Sequence, residues 1–129
     1  LIQIGKIAAL VFFVWGIIAL GNFDPLGISP LQDYLKRRQE SRPEFVVRGP
    51  YRYVRHPLYF SILVIFWLEP VLTLDRILFD VLWTTWIWIA TRLEERDLAN
   101  DFGAVYREYQ QSVPMLVPWR GPFVKYKVP

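Results

Sequence analysis

The chain opens with an apolar stretch from Leu1 to Leu20, in which Gln3 and Lys6 are the only polar side chains. An α-helix needs about 20 such residues to cross the hydrocarbon core of a bilayer. Lys6 lies near one end, where its long side chain can reach the interface, and the cleavage pattern of a signal peptide does not follow. The pattern predicts a transmembrane helix over about residues 1–20.

A second apolar region is interrupted near its middle. Leu58 to Leu68 is almost wholly apolar, charged residues and a proline follow between Glu69 and Arg76, and Ile77 to Ala90 is again largely apolar. Eleven helical residues rise about 16 Å, which is about half the thickness of the hydrocarbon core. The pattern predicts a helical hairpin over about residues 57–98, which turns near residues 69–75 and returns the chain to the side that it left.

An amphipathic stripe follows the hairpin. Leu98, Phe102, Val105 and Tyr109 recur at intervals of four, three and four residues, which is the spacing of one face of a helix. Val113-Pro114 ends the pattern, because proline interrupts a helix. We expect this C-terminal helix to cover the cytoplasmic side of the hairpin.

Basic residues are concentrated between the two apolar regions. They are Lys36, Arg37, Arg38, Arg42, Arg48, Arg52 and Arg55. Positive charge beside membrane helices favours the cytoplasmic side, and the apolar flanks argue against nucleic-acid binding, so no nucleic-acid partner is expected. Within this loop Ser29-Pro30 can start a short helix over residues 31–40. A helix lying in the membrane interface and a solvated connector fit its pattern equally well.

Composition narrows the chemistry. The 129 residues include no cysteine and one histidine, which excludes disulfides and thiolate nucleophiles, and no metal site is expected. The glycine-rich Rossmann and Walker loops and the G-x-S-x-G and H-E-x-x-H motifs are absent from the sequence. With 53% hydrophobic residues, the chain is expected to be one membrane domain over residues 1–129. Because it begins with leucine, we expect it to be truncated at the N-terminus.

Polar and charged residues are concentrated where the predicted hairpin begins and ends. Gly49 to Tyr59 reads Gly-Pro-Tyr-Arg-Tyr-Val-Arg-His-Pro-Leu-Tyr and contains the single histidine, His56. Pro57 suits the first turn of a helix, so His56 is expected at a helix entrance. Taken alone, Glu94 and Glu95 are typical of a charged helix end. Hairpin closure, however, brings these carboxylates back towards the loop, which makes the pair a candidate part of a site.

These residues resemble a known family. The run Arg55-His56-Pro57-Leu58-Tyr59, Glu94-Glu95 about 35 residues later, and the tail from Phe102-Gly103 to Val113-Pro114 are similar to the isoprenylcysteine carboxyl methyltransferase and phospholipid methyltransferase superfamily. The methanethiol S-methyltransferase and NnrU-like branch is the nearest in detail. The likeness runs from about Asn22 to Pro118. It implies a multi-pass membrane enzyme that uses S-adenosylmethionine.

The resemblance also implies roles for individual residues. The cofactor-binding set carried over by position is Pro43, Glu44, Phe45, Val46, Tyr51, His56, Pro57, Leu58, Tyr59, Glu94 and Glu95. His56 is in addition a candidate catalytic residue, and Arg92 a candidate substrate contact. Two departures stand out. Ser61 replaces a usual glycine, and Ala90 stands where the prenylcysteine branch has a substrate-binding arginine, which argues against a prenylcysteine carboxylate as substrate.

The expected fold is an all-α, polytopic transmembrane bundle with a hairpin, a cytoplasmic cofactor-binding loop and a C-terminal amphipathic helix, which places the active site at the cytoplasmic face. The expected function is methyl transfer from S-adenosylmethionine to a small thiol or a lipophilic acceptor. Two alternatives stay open within the enzyme class, a phosphatidylethanolamine N-methyltransferase and an isoprenylcysteine-type carboxyl methyltransferase. A third alternative is a non-enzymatic membrane module whose basic collar binds anionic lipid.

Overall fold

A computed structural model describes residues 1–21 and 45–123, and every regular element in these two ranges is helical. The elements are α1 (Ile2–Ala19), a 3₁₀-helix (Gly49–Arg52), α2 (Pro57–Trp67), α3 (Leu74–Phe102) and α4 (Ala104–Ser112). The all-α fold class is thus confirmed for these ranges. The short helix predicted over residues 31–40, the candidate residues Pro43 and Glu44, and four of the basic loop residues lie outside the described residues.

Among the described helices, α1 is the one whose length and apolar composition suit a membrane crossing. Its 18 residues include a single charged side chain, that of Lys6. Helix α2 is equally apolar but only 11 residues long. Helix α3 has 29 residues, with charged side chains near its start and throughout its last third. A membrane crossing by the hairpin therefore stays a prediction.

The first three helices pack side by side with alternating direction. Gly5 of α1 lies against Leu68 and Gly16 lies against Leu58, so α1 and α2 run antiparallel. A Cβ atom at Gly16 would lie 2.8 Å from the Leu58 Cδ2 atom, so the absence of a side chain there permits the close approach. Helices α2 and α3 are also antiparallel, because the ring of Phe66 contacts Phe79 while the entrance of α2 lies beside the last third of α3.

Charged side chains connect the helices at the end where α2 turns into α3. Lys6 Nζ of α1 lies 2.8 Å from a carboxylate oxygen of Glu69 in the turn. Arg76 donates from Nη2 to the Phe66 carbonyl oxygen at 3.0 Å and pairs with the fully buried Asp80 at 3.1 Å. An unpaired buried charge is costly. These contacts therefore fix the positions of α1, α2 and α3 relative to one another at the end of the bundle where α2 turns into α3.

The apolar core lies at the opposite end, beneath α4. Tyr106, Tyr109 and Val113 form it together with Val47, and Phe45 packs against both tyrosine rings. The Tyr109 hydroxyl donates a hydrogen bond to the Tyr51 carbonyl oxygen at 2.6 Å. This core joins the loop before α2 to the C-terminal helix.

The predicted stripe is wrong at one position. Leu98, Phe102 and Tyr109 do pack on this core, whereas Val105 is 41% exposed and Tyr106 is buried in its place. The cause is Gly103, which has φ 60° and separates α3 from α4. A positive φ is readily adopted by glycine and ends the helix, so the residues after it lie on a new face.

The hydrogen bond of Tyr109 can be tested by removing one oxygen atom. Tyr109→Phe keeps the ring in the core and leaves the Tyr51 carbonyl without this donor. We expect the free energy of unfolding to fall by about 1 kcal/mol, the usual net contribution of such a bond. A denaturant titration in detergent micelles measures it, with Tyr53→Phe at a partly exposed ring as the control. Equal stability of the two variants would contradict the role given to this bond.

Candidate functional site

A cavity of about 440 Å³ opens at the core end of the bundle, where the end of α1, the start of α2, the last third of α3, and α4 meet. Eight of the sequence-predicted residues line it, namely Phe45, Val46, Tyr51, His56, Pro57, Leu58, Tyr59 and Glu94. Its size is in the usual range for a small-molecule site. The structure therefore brings together most of the candidate residues that lie within the described ranges.

Two residues of the local sequence explain how the loop before α2 reaches the cavity. Gly49 has φ 51°, and a Cβ atom there would lie 2.9 Å from the Cβ of Ala19 and 3.1 Å from Nε1 of Trp15. Glycine thus lets the loop turn directly against α1. Pro57 occupies the first turn of α2, where its missing N–H costs no hydrogen bond.

Backbone pairing then holds the residues next to this proline. The Arg55 N–H donates to the Pro114 carbonyl at 2.9 Å, and the His56 N–H donates to the Met115 carbonyl at 3.1 Å. The segment after α4 therefore runs beside the loop and fixes its path. Val113-Pro114, which the sequence marks as a helix end, thus also supplies part of the support for His56.

His56 lies between two carboxylates and is only 6% exposed. Its Nε2 atom is 3.2 Å from Oε1 of Glu95, and its Nδ1 atom is 3.8 Å from Oε2 of Glu94. The first distance is at the outer limit of a good hydrogen bond and the second exceeds it. The Tyr59 ring lies 5.8 Å from the imidazole, centroid to centroid.

Glu95 is buried behind the histidine and is not among the cavity-lining residues. Arg55 Nε lies 2.9 Å from its Oε1 atom, and Gln110 donates to its Oε2 atom at 3.2 Å. The hydrogen bond from His56 and the positive charge of Arg55 both favour the ionised form of this carboxyl. The carboxylate is therefore ionised at neutral pH.

Glu94 is the carboxylate that faces the cavity, and about half of its side chain is exposed. It shares a side-chain hydrogen bond with Tyr59. Burial, reinforced by the charge of Glu94, raises the pKa of Tyr51 to about 12, and burial also raises the pKa of Tyr106 and of Tyr109. These three phenols stay neutral at physiological pH.

Two further residues singled out from the sequence, the candidate substrate contact Arg92 and the departure Ser61, lie elsewhere. Arg92 stacks over the ring of Trp88, with its guanidinium carbon 5.1 Å from the ring centroid, and it does not line the cavity. Ser61 is fully buried and donates its hydroxyl to the Pro57 carbonyl at 2.9 Å, inside its own helix. The serine therefore fits where the resemblance leads one to expect glycine.

Sequence reasoning missed half of the cavity wall. The lining residues that were not predicted are Phe13, Leu20, Val47, Arg55, Ile62, Leu98, Tyr106 and Tyr109. Arg55 stands inside the quoted motif, and Tyr106 and Tyr109 stand in the quoted tail, so the resemblance already contained a signal for these three. Phe13 comes from a span that was interpreted only as a membrane crossing, and nothing local distinguishes it from its apolar neighbours.

The cavity combines aromatic rings with one accessible carboxylate. Tyr51, Tyr59 and Phe45 line it with aromatic side chains, and Glu94 supplies negative charge. Aromatic faces attract cations, and a carboxylate accepts hydrogen bonds from ammonium or hydroxyl groups. The arrangement thus suits a positively charged, partly apolar small molecule.

Comparison with known proteins finds several relatives that are named methanethiol S-methyltransferase. The chain is 40% identical over 121 residues to a methanethiol S-methyltransferase of a Pseudomonas species, which covers 90% of this chain and 46% of the relative. It is 39% identical over 101 residues to methanethiol S-methyltransferase 1 of Bradyrhizobium diazoefficiens, covering 78% and 35%. It is 35% identical over 124 residues to the methanethiol S-methyltransferase of Mycobacterium tuberculosis, covering 89% and 50%.

The chain thus spans half or less of the length of these relatives. No solved structure matches it significantly. The family model described as phospholipid methyltransferase matches residues 5–105, a range that includes most of α1, the hairpin and the carboxylate pair. The chain belongs to the phospholipid methyltransferase family.

Proposed function

We propose that this chain carries the S-adenosylmethionine site of an integral membrane methyltransferase whose acceptor is a small thiol of the methanethiol type. The observation that carries the proposal is the cavity, in which His56, Glu94 and two tyrosine rings meet beside apolar helices. The likeness to three methanethiol S-methyltransferases supports the choice of acceptor.

The residues of the cavity fit the cofactor. S-adenosylmethionine carries a sulfonium cation, an ammonium group and ribose hydroxyls. Tyr51 and Tyr59 can attract the cation through their ring faces, at about 0.5–2 kcal/mol each. Glu94 faces the cavity with a half-exposed carboxylate, which can accept hydrogen bonds from the ammonium or hydroxyl groups.

When bound, this cofactor supplies an electrophilic methyl group, and its transfer to a thiol releases one proton. The task of the chain is then to orient the acceptor, exclude water and remove that proton. Phe13, Leu58 and Ile62 give the cavity apolar walls from α1 and α2, which suits a small hydrophobic thiol. Reactants held in line in a dry site gain rate from orientation and from strengthened electrostatics.

A phospholipid amine is the second candidate acceptor. The description of the matching family supports it, and so does the position of the cavity among apolar helices. A panel of methanethiol, phosphatidylethanolamine and prenylcysteine, assayed with tritiated S-adenosylmethionine, separates the candidates. Label transfer to phosphatidylethanolamine and not to the thiol would replace the first proposal by the second.

The outward faces of the helices support a membrane placement. Ile4, Ile7 and Val11 of α1 are exposed, as are Leu82 and Trp86 of α3, and such side chains suit lipid contact. We place α1 and the hairpin across the bilayer. The cavity end then lies at the cytoplasmic face, because the basic loop adjoins it.

Topology can be tested with single cysteines, since the chain has none of its own. Ser41→Cys and Ser112→Cys should react with a membrane-impermeant maleimide only from the cytoplasmic side. Thr73→Cys, in the turn between α2 and α3, should react only from the opposite side if the hairpin spans the bilayer. Labelling of Thr73→Cys and Ser112→Cys from the same side would refute the spanning hairpin.

Glu94→Gln tests the cofactor contact. Neutralising a carboxylate that accepts hydrogen bonds from a cation should weaken S-adenosylmethionine binding by about 1–2 kcal/mol, or roughly 5- to 30-fold, at the lower end because the group is half exposed. Equilibrium dialysis with labelled cofactor in detergent measures the change. Asp97→Asn, which changes an exposed carboxylate three residues further along α3, is the matched control. Equal affinity of parent and Glu94→Gln would return Glu94 to the role of a charged helix end.

His56→Ala separates an enzyme from a lipid-binding collar. In the proposed enzyme the variant should lose most methyl transfer, because His56 lines the cavity, while binding to anionic vesicles should hardly change. In a lipid-binding module the triple replacement of Arg37, Arg38 and Arg42 by alanine should weaken vesicle binding and His56→Ala should have no effect. Full methyl transfer by His56→Ala would remove the histidine from the site.

A further inference from the structure

The two carboxylates beside His56 are not equivalent. Glu95 is within hydrogen-bond distance of Nε2 and is turned away from the cavity, whereas Glu94 lies 3.8 Å from Nδ1 and lines the cavity. One ring nitrogen is therefore paired with a buried carboxylate, and the other lies nearer to the carboxylate that lines the cavity. This asymmetry assigns different tasks to the two nitrogens.

An ionised carboxylate can only accept hydrogen bonds. The 3.2 Å contact of Glu95 with Nε2 therefore requires a proton on Nε2, and the neutral ring then carries its lone pair on Nδ1. Which ring nitrogen holds the proton is set by the hydrogen bonds that the two ring nitrogens make. The contact at Nδ1 is too long to compete for the proton.

Glu95 is itself held in place from two sides. Arg55 Nε lies 2.9 Å from the same oxygen that contacts His56, and Gln110 donates to the second oxygen at 3.2 Å. Only 8% of the Glu95 side chain is exposed. Its rotation is thus blocked by partners from the loop and from α4, so it can orient the imidazole.

We propose that Glu95 is a positioning residue that keeps the His56 proton on Nε2, so that Nδ1 receives the proton of the thiol acceptor. The inference rests on the proposed function. In the step that it assigns to the chain, the S–H bond of the acceptor breaks and its proton binds Nδ1. The electron pair stays on sulfur for the new bond to the methyl carbon, and the bond from that carbon to the sulfonium sulfur would break, leaving its electron pair on the donor as a neutral thioether. The imidazole becomes a cation and releases the proton to solvent after turnover.

The charges around the ring favour this step. Glu94 and Glu95 of α3 supply two negative charges, which stabilise the cation that the ring forms on taking up a proton. Arg55 opposes them but is paired with Glu95. Tyr59 of α2 faces the ring as a hydrogen-bond partner of Glu94, and Tyr106 of α4 is a neutral phenol near Glu95.

The single histidine makes the first test direct. In the chain labelled with ¹⁵N-histidine and purified in detergent, Nε2 should carry a slowly exchanging proton and Nδ1 should have the resonance of an unprotonated nitrogen. In Glu95→Leu, which removes the acceptor, the protected Nε2 proton should disappear. Glu95→Gln should retain it, because the side-chain carbonyl still accepts. A protected proton on Nδ1 in the parent, or an unchanged spectrum in Glu95→Leu, would overturn the inference.

Kinetics provide the second test. With methanethiol as acceptor, Glu95→Leu should lower kcat by about 100-fold, the size of a general-base contribution, with a change in cofactor affinity of less than about threefold. Glu95→Gln should keep most of kcat, while the acid limb of its kcat/KM profile moves to lower pH, because loss of a negative charge destabilises the protonated ring. Asp97→Asn, exposed on the same helix, should leave the profile in place. An unmoved acid limb in Glu95→Gln would overturn the inference even if Glu95→Leu failed to fold.

The two proposals can fail separately. If the parent chain methylates no thiol, the proposed function fails and the proton-accepting role of Nδ1 fails with it, while the ¹⁵N spectra still decide whether Glu95 holds the Nε2 proton. If the parent methylates methanethiol and neither variant alters the spectrum or the profile, the function stands and the role of Glu95 is refuted.

Discussion

The cavity end of this protein depends on one buried carboxylate with partners from two other parts of the chain. Glu95 of α3 contacts Arg55 and His56 from the loop before α2 and Gln110 from α4. An ion of this kind, if left unpaired away from water, costs several kcal/mol. Loop, long helix and C-terminal helix therefore have to meet at this point for the charge to be tolerated, and their meeting creates the cavity.

Paired charges also hold the helices together at the opposite end of the bundle. There Lys6 pairs with Glu69, and Arg76 pairs with the buried Asp80. Gly5 and Gly16 let α1 approach α2 closely along the length between the two ends. Ionic contacts at both ends thus fix the alignment of three helices whose outward faces are apolar, since apolar packing against lipid gives little preference for any one register.

This alignment makes the two proposals chemically compatible. A thiol is a poor nucleophile until its proton is removed, and a proton acceptor is useful only if its lone pair faces the acceptor. The proposed proton transfer gives Nδ1 of His56 this task, since it lies 3.8 Å from Glu94, a carboxylate that lines the cavity with the apolar walls from α1 and α2. The family description points to phospholipids and the named relatives to a small thiol. Methylation of a thiol and of a phospholipid ammonium group both release a proton, so the choice of the thiol rests on the named relatives.

The sequence alone determined the helical class, and it identified half of the residues that line the cavity. Apolar runs predicted helices where α1 and α2 lie, because hydrophobic length is a local property. The resemblance carried by the motif around His56 named eight residues that line the cavity. Their roles stay predictions, because proximity is not a demonstration of binding.

Tertiary structure decided what the linear pattern left undetermined. Adjacent residues on a helix point about 100° apart, so only the packing against the loop shows that Glu94 faces the cavity and Glu95 lies behind His56. The positive φ of Gly103 shifted the buried face from Val105 to Tyr106. Phe13 became part of the wall only because α1 packs beside α2. Each of these outcomes depends on contacts between residues distant in sequence, which no local periodicity contains.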